Sequence, residues 1–191
     1  MQPTDDEDRA ALARLAAGDR GALSGLVARH QDALFRFLRR LSSDSASAED
    51  ALQETFVSVY RHASHFRGEG SVRGWMFAIA RRQAALGRRR HVGEPAQHES
   101  LETLGLEAGW GEDGRALLDR LADQQAVGRA LGRLSDEEQE ILLLHDVEGL
   151  SGSETATALE LSVSAMKSRL HRARLRLAGA LEKGGRDGRG S

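Results

Sequence analysis

The sequence predicts an all-helical protein of two small domains joined by a flexible acidic linker. Three observations carry this reading. Proline occurs only at Pro3 and Pro95, while Ala, Leu, Arg and Glu dominate the 191 residues; that composition favours helix. Apolar residues recur at spacings of three and four, the period of a helix with one buried stripe, and no two-residue alternation appears. The segment "HVGEPAQHESLETLGLEAGWGEDG", residues 91–114, is Gly-rich, holds six acids and no Lys or Arg, and loses the periodicity. It reads as the linker. The boundaries are an N-terminal extension at 1–19, a helical domain at 20–90, the linker at 91–121, a second helical domain at 122–182 and a disordered tail at 183–191.

Composition narrows the function classes. Hydrophobic residues make up 40% of the chain, enough for packed cores. There is no Cys, which excludes disulfides and thiolate metal sites. No apolar run approaches the roughly 18 residues that span a membrane. The start, "MQPTDDEDRA", is acidic and lacks an apolar signal segment. A soluble cytoplasmic protein is expected, with no membrane span, metal or cofactor. The net charge of -2 hides a separation: basic segments at 81–90 and 163–176, acids between them.

In the first domain, "SASAEDALQETFVSVYRHASHF" spans residues 45–66. Leu52, Thr55, Phe56, Val59 and Ala63 form a helical stripe for burial. Asp50, Glu54 and Arg61 lie opposite, with Gln53 and Val57 on the flank. An acidic patch around an exposed Val suits a protein partner. Next comes "RGEGSVRGWMFAIARRQAALGRRR", residues 67–90. Gly68, Gly70 and Gly74 predict a flexible loop, followed by Trp75, Phe77 and Ile79 and then by Arg81, Arg82, Arg88, Arg89 and Arg90. Aromatics beside cations suit single-stranded nucleic acid, where bases stack on rings and the backbone meets Arg. In a small helical domain, however, most large rings pack the core. The loop is therefore the better place for base contact.

In the second domain, "LSDEEQEILLLHDVEG", residues 134–149, supplies a capped helix that Gly149 ends. Ser151 and Glu154 stand as a capping box for the next, short helix. Glu160–Leu161–Ser162 interrupt it, and Ser162 can cap the helix that follows. That helix is "VSAMKSRLHRARLRL", residues 163–177, rich in cations and without an acid. Val163, Met166, Leu170, Ala173 and Leu177 form its stripe for burial. Lys167, His171 and Arg174 line one side of the stripe, and Arg169, Arg172 and Arg176 the other. Solvated faces normally mix signs; this one does not. A short helix, a tight turn and a longer cationic helix make a helix-turn-helix, winged-helix-like DNA-binding domain. Ser164, Lys167, Ser168 and Arg169 lie where such a helix meets base edges. Arg172, Arg174 and Arg176 lie deeper along it, where phosphates are met.

Taken together, these segments resemble the extracytoplasmic-function group of sigma factors, in the sigma-70 family of bacterial transcription initiation proteins. The resemblance covers about residues 20–90 and 122–182. "AEDALQETFVSVYR" resembles the segment that docks on core RNA polymerase, and Asp50, Gln53 and Glu54 match its motif. "FRGEGSVRGWMFAIAR" resembles the part that captures and melts the −10 element; Phe66, Arg67, Gly68, Trp75, Ile79, Ala80 and Arg81 fall on its pattern. "LSGSETATALELSVSAMKSRLHRARLRL" resembles the part that reads the −35 element. There Ser162, Val163, Lys167, Ser168, Arg169, Leu170, Arg172, Ala173 and Arg174 match. The resemblance implies a promoter-specificity subunit with no enzymatic site. Its implied partners are core polymerase (the β and β′ subunits), promoter DNA and an anti-sigma factor.

The residues and the resemblance together give as candidate sites Asp50, Gln53, Glu54 and Val57 for polymerase; Arg67, Arg73, Trp75, Arg81 and Arg82 for the −10 element; and Ser164, Lys167, Ser168, Arg169, Arg172 and Arg174 for the −35 element. Three departures stand out. Glu160 occupies a turn position where the family commonly has Gly, and a left-handed Glu there costs on the order of 1–2 kcal/mol. Arg82 stands where Asn is frequent, and Gln139 where Arg is. Two rival readings use the same residues. A stand-alone regulator would employ the helix-turn-helix but leave 67–90 unexplained. A nucleic-acid enzyme would need a site, and only Glu54 and His62, two turns apart, offer one.

Overall fold

A computed structural model describes residues 5–90 and 124–187. The linker expected at 91–121 lies outside these residues. The chain divides into two compact units, Met1–His98 and Glu99–Ser191. Among the described residues there are helices and turns and no strand.

The first unit holds α1 (Asp5–Ala16), α2 (Ala22–Leu41), α3 (Ser45–His62), a 3-10 turn at Ala63–His65 and α4 (Val72–Arg90). α2 is strongly amphipathic: Leu26, His30, Leu34, Phe37 and Leu38 are buried along one stripe. Phe37 meets Phe77 of α4 edge-on, with centroids 5.3 Å apart. Burying each such ring contributes about 1.5–3 kcal/mol. Asp44 starts α3, accepting from the Ser47 backbone N–H at 2.7 Å. That bond and the Ser47 and Ser43 hydroxyls hold its carboxyl at about 2. On α3 the buried stripe is Ala48, Ala51, Thr55 and Val59, continued by Ala63. Leu52 and Phe56, expected in the stripe, are only half-buried. Each lies one position on from a buried residue, Ala51 or Thr55, and so on the flank of the stripe.

The segment 1–19, read from the sequence as an extension, contains α1. This helix packs on α2, α4 and the 3-10 turn. Leu12 and Leu15 are buried, and so is Asp8. Asp8 is satisfied by His30 Nε2 at 2.7 Å and by Arg29 Nε at 2.8 Å.

The second unit holds α5 (Gln124–Leu131), α6 (Asp136–Leu142), a π turn at Leu143–Val147, α7 (Gly152–Leu159) and α8 (Val163–Asp187). α8 packs on α5, α6 and α7. Its stripe of Met166, Leu170, Ala173 and Leu177 is buried as the spacing predicts. Val163 is the correction: it is 45% exposed, because it opens the helix beyond the edge of the core. The helix expected over 134–149 changes to π winding after Leu142. An i to i+5 turn shifts every later side chain around the axis, and it brings Asp146 inside. A second correction concerns the tail, expected to be disordered from 183. α8 runs on through Asp187, since each residue added to an existing helix brings a further hydrogen bond.

Candidate nucleic-acid and polymerase interfaces

The helix-turn-helix is built by local chemistry. Ser151 N donates to Glu154 Oε2 at 2.8 Å and Glu154 N donates to Ser151 Oγ at 3.3 Å, the reciprocal box that starts α7. α7 ends at Glu160, which is left-handed with φ 57° and ψ 41°. The Leu161 N–H then bonds back to the Ala156 carbonyl at 2.9 Å, closing the turn in the manner Gly usually serves. So the turn keeps the left-handed geometry and the chain bears its strain. Ser162 Oγ accepts from Ala165 N at 3.1 Å and starts α8.

α8 sorts its polar residues into two groups. Ser164, Lys167, Ser168, His171 and Arg172 are exposed, and their spacing puts them on one outward stripe. The other cations are tied to acids. Arg169 Nη1 donates to Glu137 Oε2 at 2.9 Å, an exposed pair. Arg174 is bonded through Nε and Nη2 to Asp146. Arg176 Nη1 donates to Glu138. Shielding alone would raise the Glu138 carboxyl; bonds from Ser135 and the Arg176 charge bring it below its ordinary value. The two open rows of cations expected on α8 are therefore corrected. Lys167, His171 and Arg172 reach solvent, while half-buried Arg174 is bound to Asp146 of the π turn and Arg176, 66% exposed, also meets Glu138 of α6. The sequence shows these charges but not the partners 28 and 38 residues away.

On α3, Asp50, Gln53, Glu54 and Val57 are all exposed. They fall three and four residues apart, so they share one face. Tyr60, 41% exposed, extends that face by another turn. Sequence reasoning passed over it, although its spacing from Val57 was the signal.

The −10 candidates are less compact. Arg67 lies exposed in the loop, with Gly68 and Gly70. Both glycines have positive φ, 77° and 76°. Gly74, expected in that loop, belongs instead to α4, its N–H accepted by Ser71 Oγ at 3.0 Å. Trp75 is half-buried and tilts against Phe66, with centroids 5.4 Å apart. Arg73 lies over the Phe77 ring at 5.8 Å. Arg81 is half-buried and Arg82 exposed on the same helix. Trp75 and Arg82 are two turns apart and share a face. Ile79 and Ala80 are core.

The order of these parts has a match among known proteins. The family model "Sigma-70 region 2" matches residues 26–92, and "Sigma-70, region 4" matches residues 124–177. The ECF RNA polymerase sigma factor SigM of Mycobacterium tuberculosis is 36% identical over 174 residues, covering 90% of this chain and 83% of its own. This chain belongs to the extracytoplasmic-function sigma factors. The RNA polymerase sigma factor CnrH of Cupriavidus metallidurans is 32% identical over 187 residues, 95% of this chain and 97% of its own. A solved structure of CnrH, in complex with the cytosolic domain of CnrY, superposes with a TM-score of 0.66 at 28% identity. It covers 93% of this chain and 99% of that one. The sigma factor RpoE of Bartonella quintana, solved with the anti-sigma factor NepR, shares the fold at a TM-score of 0.58 and 24% identity.

As a sigma factor, the chain directs RNA polymerase to promoters through its region 2 and region 4 domains and starts transcription there. Among its described residues, no helix is long and apolar enough to cross a membrane.

Proposed function

We propose that each element of this sigma factor has a separate contact. The α3 face of Asp50, Gln53, Glu54 and Val57, with Tyr60, docks on the β and β′ subunits of core polymerase. The 67–71 loop and Arg73, Trp75, Arg81 and Arg82 hold the opened strand of the −10 element. The outward stripe of α8 reads the −35 element in the major groove, with Ser164, Lys167, Ser168 and Arg172 in contact. Arg169 joins them at small cost, because an exposed ion pair is worth about 0–1 kcal/mol. Arg174 serves chiefly to hold α8 to the π turn. Capturing unpaired bases favours the melted state without any chemistry by the sigma factor itself; the polymerase performs the reaction in the cytoplasm. An anti-sigma protein is the expected regulator, as CnrH is solved with the cytosolic domain of CnrY.

The observation that carries this reading is the exposed stripe of Ser164, Lys167, Ser168, His171 and Arg172 on the second helix of a capped helix-turn-helix. Run-off transcription with purified core polymerase on a promoter library tests it. Lys167→Ala and Arg169→Ala should shift preference within the −35 element, a base-contacting cation being worth about 1–3 kcal/mol of discrimination. Losses blind to sequence in both variants would place base reading elsewhere.

A further inference from the structure

The 67–71 loop is fastened from outside. Arg9 of α1 donates from Nη1 to the Gly68 carbonyl at 3.1 Å and from Nη2 to the Gly70 carbonyl. Its Nε pairs with Asp5 Oδ2 at 2.5 Å. The other oxygen of Asp5 accepts from the Val72 backbone N–H at 2.9 Å, at the first residue of α4. The Arg9 guanidinium also lies over the Phe66 ring, 5.5 Å from its centroid. Two side chains one helical turn apart therefore hold both ends of the loop and the ring that precedes it.

The loop needs such support. Gly68 and Gly70 both sit at positive φ, and glycines leave a free loop many alternative paths. Arg67, Gly68, Glu69 and Gly70 are all exposed, so burial does not select one path. Two main-chain carbonyls bonded to one planar guanidinium do select one, because the fork fixes their separation and direction. Asp5 adds a cap to α4, where Ser71 already serves the Gly74 N–H. The region 2 family match begins at residue 26 and so leaves α1 out.

We infer that Asp5 and Arg9 are positioning residues for −10 recognition: α1 is a splint that gives the 67–71 loop its strand-capturing shape before DNA arrives. This rests on the assignment of that loop to the −10 strand. Without the splint the loop samples other shapes. If it then holds the competent shape a tenth of the time, its apparent affinity for a captured base falls about tenfold. Binding that does not use the loop is untouched, so preference between −10 sequences narrows.

The test uses the full-length protein with core polymerase, reading promoter opening by permanganate footprinting on −10 variants. Arg9→Ala removes a positive charge and Asp5→Ala a negative one. A purely electrostatic effect on DNA would drive the two variants in opposite directions. Loss of the splint drives both the same way, narrowing the −10 preference about three- to tenfold while core binding and −35 binding stay intact. Arg9→Lys keeps the charge but not the fork, and should behave like Arg9→Ala. A Gly70→Ala loop variant separates the two layers. If it changes −10 preference and the α1 variants do not, the splint is refuted and the loop assignment stands. If none of them changes it, the loop assignment fails and the splint falls with it. Opposite shifts for Arg9→Ala and Asp5→Ala also overturn the splint.

Discussion

Arg174 reaches from α8 to Asp146 in the π turn, Nε donating to Oδ2 at 3.1 Å and Nη2 to Oδ1. Asp146 is 5% exposed and the Arg174 side chain 36%. The π winding is what carries Asp146 to the inside, and Arg174 is what makes that position tolerable. A cation that looks like part of a DNA-binding row thus closes the fold of its own domain.

Removing Arg174 should therefore reduce stability. Arg174→Leu leaves a shielded carboxylate with fewer partners, at a cost of about 1–3 kcal/mol, tempered because the arginine is partly exposed. Adding Asp146→Leu should recover part of the loss, since two apolar groups need no pairing. Denaturant unfolding of the full chain, with hydrogen exchange reporting on α6 and α8 separately, gives both numbers. A single-variant change within about 0.5 kcal/mol, the ordinary surface range, would mean the pair contributes nothing.

The turn of the helix-turn-helix makes the opposite prediction. Glu160 pays for a left-handed backbone at φ 57°. Gly adopts that conformation freely, although it starts from a more disordered unfolded state. Glu160→Gly should stabilise the second unit by about 1 kcal/mol and leave −35 preference unchanged. Thermal melting and run-off transcription check the two halves of this statement.

Acid should weaken the α1–α2 contact through Asp8. Burial alone would raise this carboxyl, but the bond and charge of His30 and those of Arg29 outweigh it and hold Asp8 below its ordinary 3.8. A carboxyl lowered by folding adds stability that is complete above the unfolded value and is lost as pH falls through the folded one. Wild type should therefore exceed Asp8→Asn in stability near neutrality. That advantage should shrink below pH 3.8. Unfolding curves for both proteins at several pH values test this, and a constant difference would remove Asp8 as the cause.

What the sequence disclosed and what it hid divide along the range of the interactions. The box of Ser151 and Glu154, the cap at Ser162 and the stripe of Met166, Leu170, Ala173 and Leu177 are legible because each involves residues within a turn or two. The α1 helix was hidden, because its anchors lie far off: Asp8 meets His30 22 residues on, and Arg9 meets Gly68 59 residues on. A charged residue advertises the need for a partner without naming it. That is why the sequence gives no sign of Asp146 beside Arg174 or of Val72 beside Asp5.

The docking face proposed on α3 yields the prediction that most separates a sigma factor's α3 from an ordinary helix surface. Asp50 and Glu54 are exposed and lie away from the buried Ala48, Ala51, Thr55 and Val59. Reversing both to Lys should leave helicity and melting within about 0.5 kcal/mol of wild type. At a complementary interface the same change sets like charges together, which costs several kcal/mol. A loss of about 3 kcal/mol weakens binding more than a hundredfold. The Asp50→Lys, Glu54→Lys protein should therefore stay folded and keep its affinity for a −35 duplex, yet fail to co-purify with core polymerase or support transcription. Val57→Ala and Tyr60→Ala should weaken the same binding without any change of charge, because the face carries apolar area between its acids. Normal core binding by the double reversal would move the docking surface off α3 altogether.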